Sequence, residues 1–282
     1  MSPPITGVDH LLVGVRDLEA ARETYARLGF TLTPRGSHIG WGTANYCIMF
    51  ADGYVELLGI VDPAKFTNRL DAFLARREGL LGLAFATADS DAAYAALARA
   101  GVEPEAPKDL ARNLELPEGV VRPRFRLVHL PAAATPALPA FLCQHLTPDL
   151  VRRPAWLEHP NGALGLVAVT VVVDDPPALT AAYARLLGAG AVTPTDDMLS
   201  LRVGSTMLVF VRAGDFGLIY SEVVLDPALA PPFIAGMTVS VADLDAAAGV
   251  LEDNGVVHAG DARGAVVVPP AETCGVALEF RR

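Results

Sequence analysis

The sequence predicts an α+β fold of four β-α-β-β-β modules, paired into two half-open β-barrels with helices outside and a cleft within. Three observations carry this. One pattern, an apolar stretch ending in Asp, then a helical stretch, then a stopping Gly, occurs four times. Short β-like runs follow the glycines. Hydrophobic residues make up 52% of the chain and charged residues 19%, so a sizeable core is available and disorder is disfavoured.

In the first module, Val8 to Val15 leads to Asp17, a helix runs from Leu18 to Leu28, and Gly29 stops it. The later copies run from Leu81 through Asp89 to Gly101, from Leu166 through Asp174 to Gly188, and from Met237 through Asp243 to Gly255. The copies begin roughly 70–85 residues apart, beyond ordinary solenoid periods. Each Asp can accept bonds from free amides of the first helical turn and meet the positive end of the helix dipole. Leu18, Ala21, Tyr25 and Leu28 form one apolar helix face. Each glycine suits the left-handed position past a helix end. Strands are expected at 30–33, 45–50 and 54–60 in the first module, and at 256–259, 265–268 and 276–280 in the fourth. Asp52-Gly53 signals a hairpin turn. Residues 65–78 read as an extra helix and 103–118 as a Pro-containing loop.

One module leaves a sheet face unburied, so modules should pair. The expected division is 1–150 for the first pair with the functional cleft, 151–163 for a connector, and 164–282 for the second pair. The sequence leaves open whether the modules pair as one with two and three with four, or as one with four and two with three.

The formal net charge is -10, which repels nucleic-acid phosphates and anionic lipid. The apolar run 164–173 is too short for a membrane span and is closed by Asp174. Cys47, Cys143 and Cys274 lie in apolar stretches, which fits buried thiols in a reducing compartment. With no export signal, a cytoplasmic location is expected.

The candidate site residues come from alternation. His10, Leu12 and Gly14 share a face opposite Leu11, Val13 and Val15. Glu56 shares a face with Tyr54 and Leu58, while Val55 and Leu57 should pack on helices. A carboxylate in so apolar a strand needs a cation, an arginine or a raised pKa. Asn45 shares a face with Cys47 and Met49 and is expected in the cleft. His38 lies in a Gly-rich stretch, and Gln144 and His145 end an apolar strand. Arg124 and Arg126 alternate with Phe125 and Leu127; with the apolar face on the helix, the arginines should look into the cleft and hold an anion. His159, beside Asn161-Gly162, reads as turn structure. The second half lacks polar residues at comparable strand positions and is expected to be a scaffold or a homodimer surface.

At these residues the chain resembles the vicinal oxygen chelate superfamily, and within it glyoxalase-like proteins of unassigned activity. The matching stretches are Val8-Asp9-His10-Leu11, Asp52-Gly53-Tyr54-Val55-Glu56-Leu57, Cys143-Gln144-His145-Leu146-Thr147-Pro148, His159-Pro160-Asn161-Gly162 and Gly275-Val276-Ala277-Leu278-Glu279-Phe280. The resemblance implies one divalent metal (Fe, Mn, Zn or Ni) held between two paired modules by first-strand and last-strand residues. His10 and Glu56 fall on two of those positions, and His145 is the third candidate ligand. The second module departs from the pattern at Gly82 and offers Gln144 or His145 instead. The resemblance further implies a lyase, isomerase or dioxygenase acting on a small oxygenated anionic metabolite, with Glu56 and His10 catalytic and His38, Asn45, Arg124, Arg126, Gln144 and His145 binding it. If no metal is held, Glu56 becomes a general base. The alternative is a metal-free protein that binds or sequesters a small molecule.

Overall fold

The computed structural model describes residues 3–221, 223–261 and 263–282. The first module comprises β1 (Gly7–Val15), α1 (Leu18–Arg27), β2 (Gly36–His38), β3 (Thr43–Met49) and β4 (Tyr54–Ile60). A short helix, α2 (Leu70–Leu74), leads to the second module. That module holds β5 (Gly79–Ala86), α3 (Ser90–Arg99), β6 (Lys108–Leu116), β7 (Gly119–Val121), β8 (Arg124–His129) and β9 (Ala140–His145). The third comprises β10 (Ala163–Val172), α4 (Thr180–Leu187), β11 (Val192–Pro194), β12 (Met198–Val203) and β13 (Thr206–Val211). The fourth comprises β14 (Phe233–Val241), α5 (Leu244–Asp253), β15 (Ala259–Gly260), β16 (Val266–Val268) and β17 (Ala277–Arg281).

The helix signals act as the sequence indicates, with one exception. Asp17, Asp89 and Asp243 each cap a helix by accepting two first-turn amides. Among the described residues Asp174 caps no helix: Pro176 and Pro177 open a 3-10 turn first, and α4 begins only at Thr180. Among the described residues, no helix is long and apolar enough to cross a membrane.

Modules pair in chain order, one with two and three with four. The first strands meet antiparallel, β1 with β5 and β10 with β14. Each first strand also pairs in parallel with its own module's last strand, as in β1 with β4 and β14 with β17. The sheet order in the first half is β2-β3-β4-β1-β5-β9-β8-β6-β7, and β2 also pairs with β6. That last pairing closes eight strands into a barrel, where the sequence suggests a half-open one. The second sheet, β11-β12-β13-β10-β14-β17-β16-β15, stays open. The closing strand β6 lies within residues 103–118, the stretch read as a loop; Pro104 and Pro107 precede the strand and leave its ladder intact.

One apolar core runs through both halves, from Leu11, Val13 and Tyr25 to Val239, Leu278 and Phe280. Phe30 stacks on Phe280 with ring centroids 5.8 Å apart. Tyr25 Oη donates to the Thr273 carbonyl across the join at 3.1 Å, and Tyr183 Oη donates to that of Pro136 at 2.9 Å. The backbones cross closely at Gly275, which has φ +83 and would place a Cβ 2.8 Å from the Glu78 carbonyl oxygen. Gly275→Ala should therefore lower unfolding free energy by about 2 kcal/mol or more, from strain and overpacking together. Urea denaturation followed by circular dichroism measures this, and the shared core should keep the transition single.

Candidate functional site

The barrel of the first half encloses a cavity of about 700 Å³, within the size range of small-molecule sites. Its walls are mostly apolar, among them Leu12, Leu110, Phe125, Leu127 and Phe141. Its polar groups are concentrated where β1, β2, β3, β4 and β6 meet: His10, His38, Asn45, Glu56 and Arg112.

Glu56 is the centre of this group. It pairs opposite Leu12 on β1 and Cys47 on β3 and is 5% exposed. Asn45 Nδ2 donates to Glu56 Oε1 at 2.6 Å, and Asn45 Oδ1 accepts from Arg112 Nη1 at 2.6 Å. The amide thus links the carboxylate to a buried guanidinium that also lies over the Phe125 ring. His10 Nε2 stands 3.7 Å from Glu56 Oε2, and His38 Nε2 stands 3.9 Å from Oε1. Burial pushes the Glu56 carboxyl up, but His10, His38, Arg112 and Asn45 together hold it below its ordinary value. Burial lowers His38 and favours its neutral form. The β2–β6 seam sets His38 directly opposite Arg112, so barrel closure itself brings these two residues to the carboxylate. Gly36, on the same seam, leaves the space in which Asn45 Oδ1 and Arg112 Nη1 lie; a Cβ there would collide with both.

Behind His10 lies a second buried network. The β1–β5 register shifts between Val8 and His10, and such a bulge re-aims side chains. Asp9 consequently bonds its own neighbour, with Oδ2 2.7 Å from His10 Nδ1. The Asp9 carboxylate also meets His145 Nε2 at 3.1 Å, and Arg152 approaches it at 3.9 Å. Burial raises Asp9, but His10 and His145 more than offset it and hold the carboxyl well below the usual range. An ionised Asp9 only accepts, which assigns the Nδ1 proton to His10. The Nε2 of His10 therefore faces Glu56 across a gap that suits a proton donor between them.

The structure brings His10, His38, Asn45 and Glu56 together. His145 lies next to them on the Asp9 side, with its free ring nitrogen Nδ1 buried and unpartnered among the described residues. Gln144, Arg124 and Arg126 lie elsewhere. Gln144 accepts from Ser90 N and donates to the Ala88 carbonyl, so it holds the start of α3. Arg124 is exposed, and Arg126 pairs with Asp91 at 2.8 Å on the outside. The β8 faces are the reverse of the expected ones, because this strand turns Phe125 and Leu127 into the cavity. Arg112 is the arginine at the polar group of the cavity. The alternation of Leu110, Arg112, Leu114 and Leu116 is the signal that marks it, in the stretch read as a loop. Asp9 carries no such signal, since strict alternation places it with Leu11. His159 joins the turn to the first module, with Nδ1 accepting from Thr31 N and Nε2 against the Met49 carbonyl.

His10, His38 and Glu56 could offer three donors, but among the described residues their ligand atoms do not all lie within 4.8 Å of one another, so they do not gather as the three or four ligands of a divalent-metal centre do. Register equates Glu56, paired with Leu12 on β1, to Phe141, paired with Ala84 on β5. The second module thus presents Gly82 and Phe141 where the first presents His10 and Glu56. His145 points Nε2 at Asp9, away from Glu56. Asp9, His10 and Cys143 also have donor atoms within 4.8 Å of one another. There Asp9 already accepts from His10, and burial with the Asp9 charge keeps the Cys143 thiol protonated, well above its ordinary value.

Modules of this kind, paired around an internal cavity, are the architecture of the vicinal oxygen chelate superfamily. The chain belongs to the glyoxalase-like domain family, whose model matches residues 8–187. A hypothetical protein from Staphylococcus aureus has the same fold, with a TM-score of 0.70, 13% identity, and 97% of this chain and 98% of that one covered. A xylose isomerase-like TIM barrel/4-hydroxyphenylpyruvate dioxygenase fusion protein aligns with a TM-score of 0.58 at 14% identity, over 99% of this chain and 49% of that one. A mutant 4-hydroxymandelate synthase from Streptomyces coelicolor aligns with a TM-score of 0.59 at 13% identity, over 98% of this chain and 92% of that one. No curated protein matches in sequence.

The buried ionisable groups fix the sign of the pH dependence. Asp9 and Glu56 are lowered from ordinary values of 3.8 and 4.5, and His38 from 6.5. Each lowered group contributes stability that is complete above its unfolded pKa and is lost as pH falls toward its folded value. The melting temperature should start to fall below about pH 6.5 through His38, and fall further below about pH 4.5 through the carboxylates. Differential scanning calorimetry from pH 8 to pH 3.5 measures this. Glu56→Gln should flatten the acid limb.

Proposed function

We propose that the chain is an enzyme that moves a proton on a small oxygenated, anionic molecule held in the first-half cavity, in a lyase- or isomerase-type reaction. One observation carries the reading: an ionised carboxylate, Glu56, faces an apolar cavity with two imidazoles within 3.7 and 3.9 Å of it. Its lowered pKa keeps Glu56 ionised at neutral pH and available as a base, with some loss of basicity. Glu56 takes a proton from carbon beside a carbonyl, and the C–H electrons pass into an enolate. With Thr43 Oγ1 at its Nδ1, the neutral His38 presents Nε2–H to the enolate oxygen, and Glu56 returns the proton it took to carbon or oxygen of the product. Asn45 and Arg112 hold the carboxylate in place, and Asp9 fixes the orientation of His10.

Dioxygenase chemistry, named for one structural neighbour, would call on a held divalent metal, and His10, His38 and Glu56, whose donor atoms do not all lie within 4.8 Å of one another, support that less well than proton transfer. A second reading, a metal-free binding or sequestering protein, has its own support in Gly82 and Phe141 at the second module's ligand positions.

Proton NMR of wash-in from deuterium oxide into a panel of keto acids, with the carbonyl beside the carboxylate or several carbons from it, tests the first reading. The wild-type chain should exchange at least one of them, and Glu56→Gln should slow that exchange by about 10²–10⁴-fold. Binding without exchange in any compound would favour the sequestering reading. Protein purified without chelator should contain well under one equivalent of divalent metal, unchanged in His10→Ala, by elemental analysis.

A further inference from the structure

The cavity has a polarity along its length. The exposed residues that line it mark its mouth: Asn68, Arg69, Arg76, Ala132, Pro139 and Pro232. Only Arg69 and Arg76 among them carry charge, and both are positive. The nearby acids are engaged elsewhere. Asp71 accepts from Thr67 Oγ1 at 2.7 Å, and Glu78 accepts from Arg16 N and faces its guanidinium. This leaves Arg69 and Arg76 without an ion pair among the described residues. Asn68 and Arg69 are consecutive non-glycine residues with φ of 52 and 65. Such strain persists only where the surrounding structure enforces it, and it concentrates at ligand sites. Here it sets the Arg69 backbone at the cavity's edge, where α2 begins.

The inner end has the opposite character. The Glu56 carboxylate stands there, with Asp9 behind His10, and the deep cation Arg112 is committed to Asn45 and the Phe125 ring. An anionic group pushed to that end would lose its water and meet the Glu56 charge, with that of Asp9 behind His10. A hydroxyl or an acidic C–H would instead find acceptors in Glu56 and His10.

We propose that the ligand is an amphipathic anion, bound in one orientation. Its proton-donating end points inward to Glu56, its apolar body lies against the walls, and its carboxylate or sulfonate stays at the mouth on Arg69 and Arg76. This rests on the first-half cavity being the ligand site and goes beyond the acid–base reading by assigning the anion's partners.

The test compares two fluorescent dyes of one ring system, anilinonaphthalene sulfonate and its uncharged parent phenylnaphthylamine, by titration at low salt. Wild-type protein should bind the anionic dye about tenfold more tightly, the size of two partly screened ion pairs. Arg69→Asn combined with Arg76→Gln should abolish that preference and leave the neutral dye's affinity unchanged. Asn is chosen at 69 because it tolerates the left-handed backbone. Arg185→Gln, on α4 in the other half, should change neither affinity. Glu56→Gln should keep the preference, so a failure of the acid–base reading is distinguishable from a failure here. An equal preference in wild type and double variant, no preference in wild type, or no binding of either dye would overturn the proposal.

Discussion

The burial of the Glu56 charge is the constraint around which the first half is organised. A lone carboxylate in an apolar barrel would be costly or would protonate. Here the amide of Asn45, the guanidinium of Arg112 and two imidazoles share the task. Each arrives on a different strand, so the charge stays satisfied only while the barrel is closed. The β2–β6 seam brings His38 and Arg112 in together, and Gly36 gives the linked amide and guanidinium their room. Stability and site geometry are therefore coupled through one group.

The second half shows the same constraint met another way. Register equates Glu279, paired with Thr238, to Glu56, paired with Leu12. Glu279 accepts from Thr238 at 2.7 Å and from Arg263 at 3.0 Å. Gly236 stands where the first half has His10, and the Tyr220 hydroxyl occupies the space a side chain there would need. Phe216 stacks on Tyr220 with centroids 4.8 Å apart. The segment between β13 and β14 thus fills the second concave face, while the matching segment between β4 and β5 forms the mouth of the first cavity. One architecture gives a filled copy and an open copy, and the difference lies in what the connecting segment inserts.

The sequence by itself determined the repeat, the starts of three of its four helices and their glycine stops, and the strands that bear His10, Asn45 and Glu56. These follow from local physics: a capping carboxylate, a left-handed glycine, a period of two along a strand. The inward faces of β1, β3 and β4 were legible because their alternation is regular and the opposite faces pack on helices. Tertiary structure decided the rest. Asp9 enters the network through a bulge, which shifts register without a local sequence mark. Phe125 and Leu127 face inward because this barrel's interior is itself apolar, so hydrophobicity alone could not tell the inner face of β8 from the outer. Arg112 reaches Asn45 only when β6 closes the barrel, a pairing between residues far apart in the chain. Local preference sets what each segment becomes, whereas the partners of a buried charge are fixed by which distant strands meet around it.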